Sequence, residues 1–340
     1  MTSVATQPSG QGAVAGGSAD ASGRLEEHRR ELTGYCYRML GSAFDAEDAV
    51  QDTMVRAWRS VDRFDGRSSL RTWLYRIAIN VCLDLLAGRQ RRALPMDFGP
   101  AAAPVAENLG DPLPELTWLE PIPDARVLPE RGDPADVAVA RESVRLAFVA
   151  ALQHLPARQR AVLILREVLR WKADEVAELL ETTVASVNSA LQRARSTMAD
   201  ADRSVDLDPM DDDQRALLAR YVAAFESYDI DALVSLLHED ATQTMPPYEL
   251  WLRGAVDIGR WHLGPGIGCR GSRLVPVAAS GLPAFGFYRP SGPGGRLEPW
   301  SIQVIEVSSG RIARLTHFLG ARLFPVFGLP AGFDPVGLER

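Results

Sequence analysis

The sequence predicts a multi-domain chain: two all-α domains, the second a helix-turn-helix, followed by a separate α+β domain. Three observations carry this reading. Apolar residues recur at helical spacing over 24–92 and again over 136–200. Between these segments the periodicity collapses and nine prolines fall from Pro95 to Pro134, which marks a linker. Beyond 213, two helical stretches lead into short β-type runs separated by turn signals, the pattern of an α+β unit.

The first domain, 24–92, opens with Leu25, Leu32, Tyr35, Cys36, Met39 and Leu40 on one helical stripe. A second helix, Asp45–Trp58, has Ala46, Val50, Met54, Ala57 and Trp58 as its apolar side, with Asp45, Asp48 and Asp52 on another face beside Glu47 and Gln51. A third helix is capped by Ser68 or Ser69 and stops at Gly88. Its expected buried stripe is Trp73, Ile77, Val81 and Leu85, with Thr72, Arg76 and Asn80 opposite. The linker, 93–135, is expected to be extended, and it is long for a connection without structure. Within it Trp118 and Leu119 stand out. They either pack on a neighbouring domain or dock the linker onto the third domain or a partner.

In the second domain, 136–200, Asp136–Leu155 reads as one amphipathic helix and Pro156 opens the next. A helix-turn-helix follows, with its turn at Glu181–Thr182, Thr183 as cap, and Val176, Ala177, Leu180, Val184, Val187 and Leu191 as its core. An acidic hinge, 201–212, leads to the third domain, 213–330. There, strands are expected at Ala241–Met245, Leu274–Val277, Ala284–Tyr288, Ser301–Val307 and Arg311–Phe318, with a short helix at Gly254–Trp261.

The formal net charge of −7 would by itself argue against a nucleic-acid partner. Charge is segregated, however. From Arg56 to Arg92 nine arginines stand against Asp62, Asp65 and Asp84, a local excess of +6. Lys172 is the sole lysine among 37 basic residues, which points to a GC-rich coding genome and not to a function. Cys36, Cys82 and Cys269 are odd in number and far apart, which fits free thiols in a reducing cytoplasm and no metal site. No run of about 18 apolar residues is present to span a membrane. Residues 1–23 have the composition of a disordered tail and lack the pattern of a signal peptide.

The segment RFDGRSSLRTWLYRIAINVCLDLLAGRQRR closely resembles the promoter-melting segment of extracytoplasmic-function (ECF) sigma factors of the sigma-70 family, and DAEDAVQDTMVRAW resembles the helix with which they grip the polymerase core. The resemblance implies sigma region 2 at 24–92 and region 4 at 136–200. It implies core RNA polymerase (its β′ and β subunits) and promoter DNA as partners, a cytoplasmic location, and neither cofactor, metal nor covalent chemistry. Asp45, Asp48, Gln51 and Asp52 would bind the core enzyme. Arg67, Arg71, Arg76, Asn80, Arg89, Arg91 and Arg92 would serve the −10 element. Asn80 matches a position that contacts an extruded base, which its amide suits by both donating and accepting; Arg71 and Arg76 fall to phosphate. Asn188, Ser189, Gln192, Arg193 and Arg195 match the positions that read the −35 element from the major groove. Two departures are expected to weaken this motif by roughly 1 kcal/mol or less each. Lys172 stands where a capping serine is frequent, and Glu181 replaces a turn glycine.

YVAAFESYDIDALVSLLHEDATQTMPP resembles the opening of SnoaL-like domains of the NTF2-like superfamily, which implies a cone of curved sheet and helices around a pocket over most of 213–325. Members of that superfamily sometimes use an Asp or His base, for which His238, Asp240, His262 and His317 are the candidates here, without a legible dyad. The preferred reading is a module that binds a small molecule or protein and regulates the sigma portion. The alternative for the chain is a free-standing helix-turn-helix regulator with a ligand-binding domain, which has no use for the Asp45–Trp58 helix or the melting segment.

Overall fold

The computed structural model describes residues 23–64, 66–130, 133–201, 207–208 and 210–334. The tail expected at the start of the chain and part of the hinge lie outside these.

Three helices make the first domain: α1 (Arg29–Leu40), α2 (Ala43–Ser60) and α3 (Leu70–Leu86). Gly41 turns the chain between α1 and α2 at φ 71°, and a Cβ there would come within 2.6 Å of Leu119 Cδ2. Ser42 caps α2, its Oγ accepting from the Asp45 N–H at 3.2 Å, and Ser69 caps α3 in the same way through Thr72 at 3.0 Å. The buried side of α2 is Ala46, Ala49, Val50, Thr53 and Ala57. Trp58, expected inside, is 55% exposed; it lies about 100° round the helix from Ala57 and so leaves the stripe. In α3 the buried residues are Leu74, Tyr75, Ala78, Ile79, Val81 and Cys82, while Trp73, Ile77 and Leu85 are only half-buried. The expected stripe is rotated because α3 is covered on two sides, by the first domain and by Trp171 of the second, whose ring lies 5.0 Å from that of Tyr75.

The linker is a folded strap and not an extended spacer. Ala93 and Trp118 form a bridge that closes it at the base, with Ala93 N–H donating to Thr117 and Leu119 N–H to Ala93. Single 3-10 turns punctuate it at Pro95–Asp97, Ala106–Asn108 and Glu115–Thr117. Its outer loop lies on the third domain, where Ala102 N–H donates to Trp251 and Leu113 N–H to Pro247, both at 2.9 Å. Trp118 is buried against Phe98, and Leu119 enters the core of the first domain. Trp118 thus packs within the strap and Leu119 on the first domain, while the strap as a whole also lies on the third domain.

The second domain holds α4 (Pro134–Glu142), α5 (Leu146–Gln153), α6 (Ala157–Leu163, prolonged by a π turn over Ile164–Val168), α7 (Ala173–Leu179) and α8 (Val184–Ala201). The single helix expected over Asp136–Leu155 is broken at Ser143. The buried Arg38 guanidinium donates to both the Ser143 carbonyl (3.2 Å) and its hydroxyl (2.7 Å), taking a carbonyl that helix continuation would need. The α7–α8 core forms as expected except for Val184, which is exposed in the first turn of α8.

The third domain begins with α9 (Asp212–Ser227) and α10 (Ile230–Leu236). Strands β1 (Leu237–Thr244) and β2 (Trp251–Arg253), helix α11 (Ala255–Leu263), and strands β3 (Arg273–Ala279), β4 (Leu282–Arg289), β5 (Glu298–Ser308) and β6 (Arg311–Leu319) follow. The sheet order is β2-β1-β6-β5-β4-β3, with β1 and β6 parallel and the other neighbours antiparallel. Strand β2, three residues long, is absent from the sequence expectation. Side chains alternate between two buried faces. One carries Phe285, Phe287, Ile305 and Leu315 and is clustered with Tyr221 and Phe225 of α9 and Trp261 of α11. The other carries Ile302, Val304 and Phe318 and is clustered with Leu146 of the second domain, with Phe44 of α2 packed against it. Beyond β6 the chain packs back on the sheet, Phe324 and Phe333 flanking Tyr288.

Candidate nucleic-acid and polymerase interfaces

On α2 the four candidates for core binding divide. Asp48 and Gln51 are exposed. Asp52 forms a 2.7 Å ion pair with Arg56 one turn on. Asp45, with its side chain 15% exposed, accepts from Arg92 at 2.7 Å and Arg89 at 3.1 Å. Asp45 therefore holds the end of the first domain together and is withdrawn from the acidic surface.

The arginine set divides similarly. Arg67 and Asn80 are exposed. Arg71 pairs with Glu31 at 2.8 Å and its guanidinium lies 5.1 Å over Tyr75 and 5.0 Å over Trp171. Arg76 lies 3.6 Å from Glu178 of α7. Both residues thus face the second domain here. Arg89 and Arg91 remain exposed, Arg91 beside His154 at 3.0 Å. Arg92 is the correction in this set: it is 7% exposed and donates to the Trp118 carbonyl at 2.6 Å as well as to Asp45, so it braces the strap instead of offering a charge to a DNA backbone.

In the helix-turn-helix, Asn188, Ser189, Gln192, Arg193 and Arg195 are all exposed on α8, and their spacing places them on one continuous face. Arg193 donates to Ser189 at 2.6 Å, and Arg195 pairs with Glu167 at 2.5 Å. The two departures are accommodated locally. Glu175 accepts the Lys172 N–H at 2.6 Å, doing part of the work of a cap. Glu181 takes φ 50°, the left-handed geometry that favours glycine, and Thr183 caps α8 through the Ser186 N–H at 3.1 Å.

Four residues outside the sequence-based set, Trp171, Glu120, Ser280 and Arg322, govern how these surfaces meet. Trp171, between Arg170 and Lys172, joins the second domain to α3. Glu120 in the strap accepts from Ser42 and is paired with Arg322. Ser280, in the β3–β4 turn at φ 54°, exchanges two hydrogen bonds with Ile122. It also lies 3.2 Å from the Tyr37 hydroxyl, which donates to the Glu120 carbonyl. Trp171 was visible as an apolar residue between two cations; the other three carry no local signal.

The four histidine and aspartate candidates of the third domain fall into two separate pairs and do not form one cluster. Asp240 is exposed and 3.3 Å from Arg253, and His238 is half-buried near it. His262, on α11, and His317, on β6, are buried in the core, where burial lowers their pKa values to about 4 and about 3.

An acidic helix, a basic helix packed beside it and an exposed recognition helix are the layout of a sigma-70-type transcription factor. The comparisons agree. Residues 25–92 match the family description "Sigma-70 region 2", 145–198 "Sigma-70, region 4" and 218–315 "SnoaL-like domain". The chain is 46% identical over 336 residues to the ECF RNA polymerase sigma factor SigG of Mycobacterium tuberculosis, covering 96% of this chain and 89% of that one. It is 29% identical over 301 residues to SigJ of the same species, covering 86% and 89%. The crystal structure of SigJ superposes with a TM-score of 0.59 at 24% identity, over 91% of this chain and 99% of that one, so the three-domain fold is shared. The chain belongs to the ECF sigma factors of RNA polymerase, in the form that carries a C-terminal SnoaL-like domain. Among the described residues no helix is long and apolar enough to cross a membrane.

Proposed function

We propose that the chain directs core RNA polymerase to −10 and −35 promoter elements in the cytoplasm, and that the arrangement described here is its resting form, held by the C-terminal domain. The role asks binding and DNA opening of this chain, and no covalent chemistry. Asp48, Gln51 and Asp52 would meet the core enzyme. Arg67, Arg71, Arg76, Asn80, Arg89 and Arg91 would meet the −10 element, and Asn188, Ser189, Gln192, Arg193 and Arg195 the −35 element.

One observation carries the resting-form reading: Trp171, two residues before α7, packs against Tyr75 on the melting helix with ring centroids 5.0 Å apart and planes inclined at 57°. The two promoter elements are centred roughly 25 base pairs apart, about 85 Å at ~3.4 Å per base pair. Domains in side-chain contact do not span that distance, so both elements are reached only after the pair separates. Arg71 and Arg76 are released by the same movement, since their present partners across this contact are Trp171 and Glu178. The C-terminal domain supports the closed arrangement through Ser280 and Arg322, both of which bind the strap between the two DNA-binding domains.

Run-off transcription with purified core polymerase on a promoter pool tests this. The full chain should give specific but weak transcripts, and an Arg322→Glu variant or a chain ending at Pro209 should give an altered yield from the same start sites. Duplex binding without transcripts from any version would assign the chain to the free-standing regulators instead.

A further inference from the structure

We propose that the cleft between α4, the end of the strap and the outer face of the C-terminal sheet binds an aliphatic carboxylate, its chain on the sheet and its head on Arg145. The site goes beyond the function proposed above and rests on the resting-form reading only for the consequence of binding.

The cleft forms where the second domain, the strap and the third domain meet, and it measures about 990 Å³, room enough for a small organic molecule. Val277 stands in register with Ala284 and, one strand further, with Val304. The floor therefore belongs to the sheet face that carries Ile302 and Val304, on the side away from Tyr221 and Phe225. Val137 and Ala138 of α4 make the facing wall, and Leu207 and Gln214 border the cleft beside α9. Gly281 in the β3–β4 turn closes one end. Its φ is 74°, and a Cβ there would come within 2.6 Å of the Arg141 carbonyl oxygen, so the turn and α4 approach too closely for any side chain between them.

Arg145 sets the head group. It follows the helix break at Ser143, where Arg38 holds the backbone, and it lines the cleft together with Arg141. Its Nε is buried without a hydrogen-bond partner, and its guanidinium forms no ion pair among the described residues. The acidic side chains of the cleft, in contrast, are engaged. Asp124 accepts the Gly281 N–H at 2.7 Å, with Arg141 acting on it through space. Asp208 accepts from the Ser309 and Gly310 N–H groups at 3.0 and 2.7 Å, and Glu130 pairs with Arg30 at 2.5 Å. Glu142 is exposed at the rim. A buried donor without an acceptor is costly. A carboxylate answers it well, since its two oxygens match the Nε–H and an Nη–H of one guanidinium.

The walls set the rest of the guest. Val137, Leu207, Val277, Leu282, Pro283 and Val307 line the cleft, and among the described residues no aromatic ring does. Such walls suit a hydrocarbon chain better than a flat ring that needs a stacking partner. Val137, Leu207 and Val277 are only half-buried, so a chain laid on them removes apolar surface that the fold leaves in contact with water. A small hydrophilic anion would use the guanidinium and leave that surface wet. An alkylammonium would cover the surface but bring a like charge to Arg145. Because the walls come from α4, the strap and the sheet, an occupant holds these three together.

The test is a calorimetric titration of the full chain with three probes that share one straight chain: decanoate, decanol and decylammonium, each kept below its solubility and micellar limits. Decanoate should bind saturably and at least about tenfold more tightly than decanol, and decylammonium should bind least. Arg145→Gln should bring decanoate down to the level of decanol while leaving decanol binding in place. Ala138→Glu, at an exposed position on the α4 wall, adds a carboxylate without disturbing packing and should weaken decanoate at least about tenfold. No saturable decanoate binding, decylammonium binding as tightly as decanoate, or a decanoate preference unchanged in both variants would overturn the proposal. Run-off transcription with and without decanoate separates the site from its consequence. A lower yield from the full chain, and not from the chain ending at Pro209, supports both. Binding that leaves the yield unchanged keeps the site and rejects the consequence, whereas a truncation effect without decanoate binding does the reverse.

Discussion

The Glu120 carboxylate and the Arg322 guanidinium form an ion pair that ties the interdomain strap to the C-terminal domain, with the Glu120 side chain 5% exposed and Arg322 lying 4.7 Å over the Phe44 ring of α2. One contact thus links the first domain, the strap and the third domain. Burial raises the Glu120 carboxyl above its ordinary pKa, and Ser42, then Arg322, oppose that shift.

Removing Arg322 strands the buried carboxylate. Arg322→Ala should cost about 2 kcal/mol, below the range for fully buried pairs because Arg322 is about a third exposed. Glu120→Gln, which keeps the packing and can still accept from Ser42, should cost less. Urea midpoints of the full-length variants check the order, and the same variants should shift run-off yield in parallel. Equal midpoints for the two would remove the ion pair from the account.

Trp171 tests the closed arrangement directly. Trp171→Ala deletes the ring that covers Tyr75 and Arg71 and should cost about 3 kcal/mol of packing. The radius of gyration in small-angle scattering should rise as the two DNA-binding domains separate. An unchanged radius with an unchanged melting profile would show that other contacts hold the domains.

The acidic face separates two roles that lie three residues apart. Asp48→Lys should weaken association with core polymerase at least tenfold with little change in stability, because Asp48 is exposed. Asp45→Lys should instead destabilise the fold by about 3 kcal/mol, placing a cation against Arg89 and the buried Arg92. Paired measurements of core affinity and urea midpoint on both variants distinguish the roles; the same phenotype from both would merge them.

His262 and His317 give the third domain a pH dependence of defined sign. Their folded pKa values, about 4 and about 3, lie below the ordinary 6.5, so the folded state binds fewer protons than the unfolded state in that interval. Stability is full above pH 6.5 and falls as the pH drops toward 4. Each histidine should contribute about 2 kcal/mol of loss between pH 7.5 and pH 5. Thermal midpoints across that range, compared with His262→Phe, should show a shallower slope in the variant. Parallel slopes would exclude His262 as a source.

Consecutive residues carried most of the identification. The acidic helix, the arginine-rich helix and the helix-turn-helix are each local patterns, and local patterns survive in sequence because helical periodicity, caps and charge are properties of neighbours in the chain. Asp48, Asn80 and the α8 face are exposed. Reading failed where a partner distant in sequence decides the outcome. Arg92 looked like one more cation in a basic run until Asp45 and the Trp118 carbonyl enclosed it. The α3 stripe was displaced because Trp171, 96 positions beyond Tyr75, buries a side that the helix alone leaves open.

The sequence by itself determined the class of protein, the order of its three domains and the chemistry available to each. Only the tertiary structure decided which of those charges are free, that the Pro-rich linker is a strap tied by Glu120 and Ser280, and that Arg141 and Arg145 share one cleft with Val277 and Leu282. The reason is physical: periodicity and charge are set by residues three or four apart, whereas burial, ion pairing and strand register join residues distant in the chain and exist only once it has closed on itself.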